Sequence, residues 1–187
     1  MKKSLLGLSI LVGCLSLHAQ KNIEITAGYG SGSLFGVANI IGSSVVDAIL
    51  VGHSEDINSS GVLNFGINAY SNNMKWRYGI AVDLESFDEK NSVIKTQSFT
   101  SISPKVDYFW SNEDKKLRFY SGVSVGILLA KYKYVDSNTH STISENDTHL
   151  GFNITPIGIR YGKAFGVYVE PNIGTRGFVQ AGVSYIF

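Results

Sequence analysis

The chain has 187 residues, with 16 Lys and Arg against 15 Asp and Glu, four histidines and a single cysteine. A charge this close to balance carries no basic footprint for nucleic acid, and one thiol supports neither a disulfide framework nor a cysteine zinc site. Beyond the N-terminal twenty residues no apolar run is long enough for a membrane-spanning helix, whereas 20 glycines and 12% aromatic residues suit short strands joined by tight turns.

The N-terminus reads as a secretory signal. Lys2 and Lys3 precede a mostly apolar stretch from Leu5 to Leu17, and Leu17-His18-Ala19 before Gln20 offers a cleavage site. Leu11-Val12-Gly13-Cys14 resembles a lipoprotein signal that would lipidate Cys14, but the apolar run continues past the cysteine. Residues 1–19 are therefore taken as the signal peptide and residues 20–187 as one β-barrel domain.

Successive strand side chains point to opposite faces, so alternation reports a sheet with one apolar side. A first segment, about Asn22 to Gly30, sends Ile23, Ile25, Ala27 and Tyr29 one way and Glu24, Thr26 and Gly28 the other. A second, Gly61 to Tyr70, sets Leu63, Phe65, Ile67 and Ala69 against Asn64, Gly66 and Asn68. After the turn chemistry of Ser71-Asn72-Asn73, a third opposes Trp76, Tyr78, Ile80, Val82 and Leu84 to Arg77, Gly79, Ala81, Asp83 and Glu85. The fourth carries Ile102, Pro104, Val106, Tyr108 and Trp110 on one face, and Pro104 predicts a bulge.

Ser111 to Asp114 turns the chain into a fifth strand, with Leu117, Phe119, Val123, Val125, Ile127 and Leu129 opposite Arg118, Tyr120, Gly122, Ser124 and Gly126. The sixth changes parity at Pro156, so that Leu150, Phe152 and Ile154 give way to Ile157, Ile159 and Tyr161; one extra residue at the proline predicts that switch. A seventh, after Gly162-Lys163, opposes Phe165, Val167, Val169 and Ile173 to Tyr168, Glu170, Asn172 and Gly174. A short link around Thr175-Arg176-Gly177 leads to the last, where Val179, Ala181, Val183, Tyr185 and Phe187 share a face.

Links after the second, fourth and sixth strands are short and polar. Those after the first, third and fifth are longer: Ser31 to Ser60, Asp88 to Lys95, and Asp136 to Asp147. Outward aromatics gather near the short turns: Trp76, Tyr78, Tyr108, Trp110, Phe119, Tyr161, Phe165, Tyr185 and Phe187. Short turns at one end, longer loops at the other and a ring of aromatics describe a transmembrane β-barrel. The expected fold is all-β, an eight-stranded antiparallel up-and-down barrel.

With its signal, strand count and ending Tyr185-Ile186-Phe187, the chain resembles the small bacterial outer-membrane barrels of the OmpA/OmpX type. The Leu17-His18-Ala19-Gln20 junction and the stretch Pro156 to Gly162 resemble outer-membrane β-barrel domain proteins of Bacteroidetes. The likeness is architectural, spans the whole mature chain, and lacks the periplasmic peptidoglycan-binding domain of OmpA. It implies an outer-membrane location, contact with outer-membrane lipid and lipopolysaccharide, and delivery to the barrel assembly machinery through the strand ending Phe187.

An eight-stranded barrel has an interior that side chains fill. Glu24, Arg77, Asp83, Glu85, Lys105, Asp107, Arg118, Arg160 and Glu170 all fall on the inward face, and buried charges of both signs are expected to pair. A self-neutralising polar plug is favoured over a narrow solute channel. Leu34 to Val51 is apolar without strand alternation; Asn39, Ser43 and Asp47 share one helical stripe and Val37, Ile41, Val45 and Ala48 another, leaving a short external helix and an extra hairpin both open.

His140, Ser141, Glu145 and His149 cluster in sequence as lipid-modifying acyl chemistry would use them, though His149 is inward by parity. Ser144 to Asp147 has oxygen ligands without calcium-loop spacing. The expectation is a non-enzymatic barrel with a structural or surface-interaction role, its loops the binding surface, and no catalytic, cofactor or metal residues; a lipid-modifying enzyme is the alternative.

Overall fold

The computed structural model describes residues 22–34, 58–88, 94–112, 114–135 and 142–187. The proposed signal, residues 35–57 with nearly all of the apolar first loop, and His140 and Ser141 lie outside them. Nine runs of strand are present: β1 Ile23–Gly30, β2 Asn58–Tyr70, β3 Trp76–Asp88, β4 Ile94–Phe109, β5 Leu117–Val135, β6 Thr142–Gly162, β7 Phe165–Pro171, β8 Ile173–Gly174 and β9 Val179–Ile186. β7 and β8 are one strand interrupted at Asn172, so the barrel has eight.

Each strand pairs antiparallel with its neighbours in sequence, and β1 closes the sheet on β9 from Glu24 opposite Ile186 to Gly30 opposite Gln180. Closure removes the free sheet edge along this body. The paired faces are the expected ones. Ile25, Ile67, Ile80, Val125 and Val183 are exposed on the outside, while Glu24, Asn68, Arg77, Ser124 and Ser184 on the same strands are buried within. Lipid on the outside would complete this arrangement, since a closed barrel satisfies its backbone without water.

The aromatic ring at the tight-turn end is present as a packed band. Tyr108 lies between Trp76 and Trp110, with centroids 4.9 and 5.7 Å away, and Tyr185 meets Phe187 edge-on at 4.9 Å. Ser121, a polar residue on the outer face, is satisfied there: it accepts from Trp110 Nε1 at 3.1 Å and donates to the Pro156 carbonyl at 2.5 Å.

The two prolines behave differently. At Pro156 the pairing jumps from Tyr120 opposite Gly158 to Gly122 opposite Thr155, the extra residue that the parity change required. Pro104 carries no bulge, contrary to expectation. It stays in register with Ile80 on β3 and points outward, and the only break is on the β5 side, between the pairs Ile102–Ile127 and Lys105–Ser124. A missing N–H interrupts a ladder without shifting it.

The loop end differs more. β5 and β6 are 19 and 21 residues long, so Thr142 to Asp147, expected in a loop, continue the strand. Here the faces exchange character. Phe87, Phe99, Leu128 and Ala130 point inward as an apolar cluster, with Phe87 and Phe99 edge to face at 5.5 Å, whereas Ser86, Lys131 and Lys133 are exposed outside. The exterior thus turns from apolar to polar toward the loop end.

Candidate functional site

Inward parity delivers the charged side chains to one column, and their pairing follows from register. Arg77 lies directly opposite Asp107 across β3 and β4, and its Nε donates to Asp107 Oδ2 at 2.7 Å, where Lys105 Nζ also lies at 3.0 Å. Glu24 joins this group from β1. Its Oε2 accepts from Arg77 Nη1 at 2.7 Å and from the Tyr70 hydroxyl at 3.2 Å, and its Oε1 accepts from Arg160 Nε at 2.9 Å. One fully buried carboxylate thus holds two guanidinium groups, and ion pairs join β1 to β3 and to β6.

Nearer the loop end a second group forms around a residue read from sequence only as part of a link. Arg176 folds back into the lumen, 3% exposed, with Nη1 donating to Glu170 at 3.1 Å and Nε 3.6 Å from Asp83. Thr175 donates to Asp83 at 3.0 Å, and Tyr120 donates to Glu170 at 2.6 Å. Positive φ at Gly174 and Gly177, 140° and 84°, lets the short link turn inward; a Cβ on Gly177 would sit 1.9 Å from the Ser31 carbonyl oxygen. The link fills the barrel instead of capping it.

The column is neutral in sum but not along its length. Glu85, nearest the loop end, meets hydroxyls and an amide: Ser59 at 2.7 Å, the Ser33 N–H at 3.0 Å, and the Ser33 hydroxyl. Arg118, nearest the tight turns, meets no carboxylate among the described residues. It lies in register opposite Arg160, donates to the Met74 carbonyl, and stacks on Phe109 and Tyr70 at 4.0 and 5.7 Å. Between these ends the lumen is closed. Two residual cavities of about 10 Å³, one beside Lys105 and Glu170 and the other beside Glu85 and Phe99, are each no larger than one water needs.

Of the loop residues considered for catalysis, only Glu145 and His149 are among the described residues. His149 and Glu145 are exposed on β6, opposite Leu128 and Tyr132; they are four strand positions apart, about 13 Å along the chain. Alternation also divides Ser144 and Asn146 from Glu145 and Asp147, and among the described residues no three such side chains group as a metal site would need.

All nine expected inward charges are buried, and the structure adds Arg176. With the geometry in place, the chain can be set beside known proteins. No family model matches it, and no curated protein does. Among solved structures it is similar to Ail, the attachment invasion locus protein of Yersinia pestis, at 12% identity over 89% of this chain and 96% of that one, with a TM-score of 0.50. It is similar also to the N-terminal β-barrel domain of Pseudomonas aeruginosa OprF (17%, 90% and 98%, 0.45) and to Neisserial surface protein A (13%, 88% and 96%, 0.46). The fold is that of the small OmpA/OmpX-like outer-membrane β-barrels. The exposed apolar belt is the outer surface of this barrel and the ion-paired column fills its lumen.

Proposed function

We propose that the protein is an integral outer-membrane barrel, exported by its signal peptide, that serves as a closed structural anchor and presents its longer loops to the outside. One observation carries this reading: the inside-out distribution of residues, with Ile80 and Phe65 at least half exposed while Arg160 and Glu24 are no more than 1% exposed. That arrangement is costly in water and suited to hydrocarbon. The mature chain is expected to fold only with detergent or lipid and to migrate faster unheated than heated in SDS gels. A folded, monodisperse protein in detergent-free buffer would remove the proposal.

The plugged lumen supports anchoring over transport. Ion pairs from Arg77 on β3 to Glu24 on β1 and Asp107 on β4, and from Arg176 in the link before β9 to Glu170 on β7, tie these elements together inside the lumen. Reconstituted into a planar bilayer, the protein is expected to give no stable single-channel current; steady conductance that scales with protein concentration would favour the narrow solute channel.

The remaining partners follow from location. Outer-membrane lipid and lipopolysaccharide would cover the belt, and the assembly machinery would receive β9, with its outward Val183 and Tyr185, and Phe187 just after it. Removing Phe187 is expected to lower the amount reaching the outer membrane while leaving refolding into detergent intact; equal yields in cells would argue against that signal.

A further inference from the structure

We propose that the tight-turn mouth of the barrel is a recessed oxyanion site built on Arg118, taking a phosphate group from a free anion or a lipid headgroup. A cavity of about 440 Å³ opens there, lined by Met74, Asp114, Arg118, Arg160, Lys163 and Ile186 among others. It is far larger than the gaps deeper in the lumen and can admit a group of several heavy atoms.

Two independent features point to an anion. The first is the cross-strand pair Arg118–Arg160. Like charges directly opposite repel, yet among the described residues only Arg160 has a carboxylate to offset this, Glu24 at 2.9 Å; its remaining N–H groups go to the carbonyls of Gly162, Lys163 and Ala164. The second is Arg118 itself, 3% exposed, whose shielded Nε has no acceptor. Arg77, Lys105, Arg160 and Arg176 each lie against at least one carboxylate, so Arg118 is the exception in the column. The faces of Phe109 and Tyr70 offset its charge in part, but a buried guanidinium without an anion is strongly unfavourable. An oxyanion held in the cavity would lie against the Arg118 guanidinium and balance its charge, and exposed Lys163 would add a second positive charge. Asp114 lines the same cavity but forms no ion pair with Arg118 among the described contacts. It opposes an incoming anion.

The test uses the full mature barrel refolded in a zwitterionic micelle, observed by amide and Arg Nε–H NMR. Sodium phosphate is titrated at constant ionic strength in one arm and dihexanoyl phosphatidylglycerol in the other. Saturable shifts at Arg118 Nε, Met74 and Ala164 are expected in at least one arm; saturation with lipid alone would assign the site to a headgroup, with phosphate alone to a free anion, and in both arms to the oxyanion whatever its source. Arg118→Gln is expected to weaken binding by about tenfold or more, as loss of a charge-assisted hydrogen bond implies. Asp114→Asn, at an exposed turn where folding is not at stake, is expected to tighten it severalfold. Absence of saturation in both arms, unchanged binding in Arg118→Gln, or unchanged binding in Asp114→Asn would overturn the proposal.

Discussion

Replacing Glu24 by Ala is expected to cost about 3–5 kcal/mol of folding stability, the range found when one partner of a buried ion pair is removed. Glu24 is 0% exposed and touches both Arg77 and Arg160. Without it Arg77 retains Asp107, but Arg160 retains only Ser184 and backbone carbonyls, and Arg118 beside it already lacks a carboxylate. Of the three neighbouring guanidinium groups only Arg77 would then touch a carboxylate, Asp107, which Lys105 also occupies. Equilibrium unfolding in lipid vesicles measures the loss. Because the penalty belongs to the stranded cations, combining Glu24→Ala with Arg77→Ala should cost less than the two single changes added together. A loss below about 1 kcal/mol, or strict additivity of the two changes, would show that water reaches the lumen and screens the pair.

The barrel was legible because a membrane reverses the usual distribution without changing the period. Ile23 to Tyr29 and Trp76 to Glu85 alternate as any half-buried strand would; the tight turns and the aromatics beside them then pointed to the apolar face as the outer one. Even the parity change at Pro156 was readable, since Ile154 and Ile157 have to share one face across an odd spacing. Pro104 misled because its own spacing never required a bulge: Ile102, Pro104 and Val106 keep one parity, and the structure keeps their register. Arg176 was hidden by its setting among Thr175 and Gly177, a composition typical of exposed turns. There was a signal for it all the same. The inward acids Glu24, Asp83, Glu85, Asp107 and Glu170 outnumber the inward bases Arg77, Lys105, Arg118 and Arg160, and the absent cation is the one that folds in. The apolar cap was missed for a related reason: Phe87 and Phe99 sit on the face assigned to polar residues, and only the polar Ser86 and Ser98 beside them reveal that the strands have left the hydrocarbon.

The exit from the membrane that the proposed function implies can be measured along a single strand. Ile80 and Ser86 both lie on the outer face of β3, six residues apart, the first 57% exposed amid the apolar belt and the second beside the inward Phe87. Placing Arg at the bilayer midplane of a barrel costs about 2–4 kcal/mol, against about 0–1 near an interface. Ile80→Arg is therefore expected to be destabilising by the larger amount and Ser86→Arg to be nearly neutral, in the same vesicle unfolding experiment. Neither side chain touches the ion-paired column, so the contrast reports only what surrounds the barrel. If the outer face met water, both substitutions would be harmless, because an exposed arginine there would lose no solvation. If a second protein layer covered it, the penalty would survive in buffer without lipid. A depth-dependent cost that needs the bilayer separates hydrocarbon from both, and two equal effects would mean that the belt around Ile80 is not the membrane-facing surface.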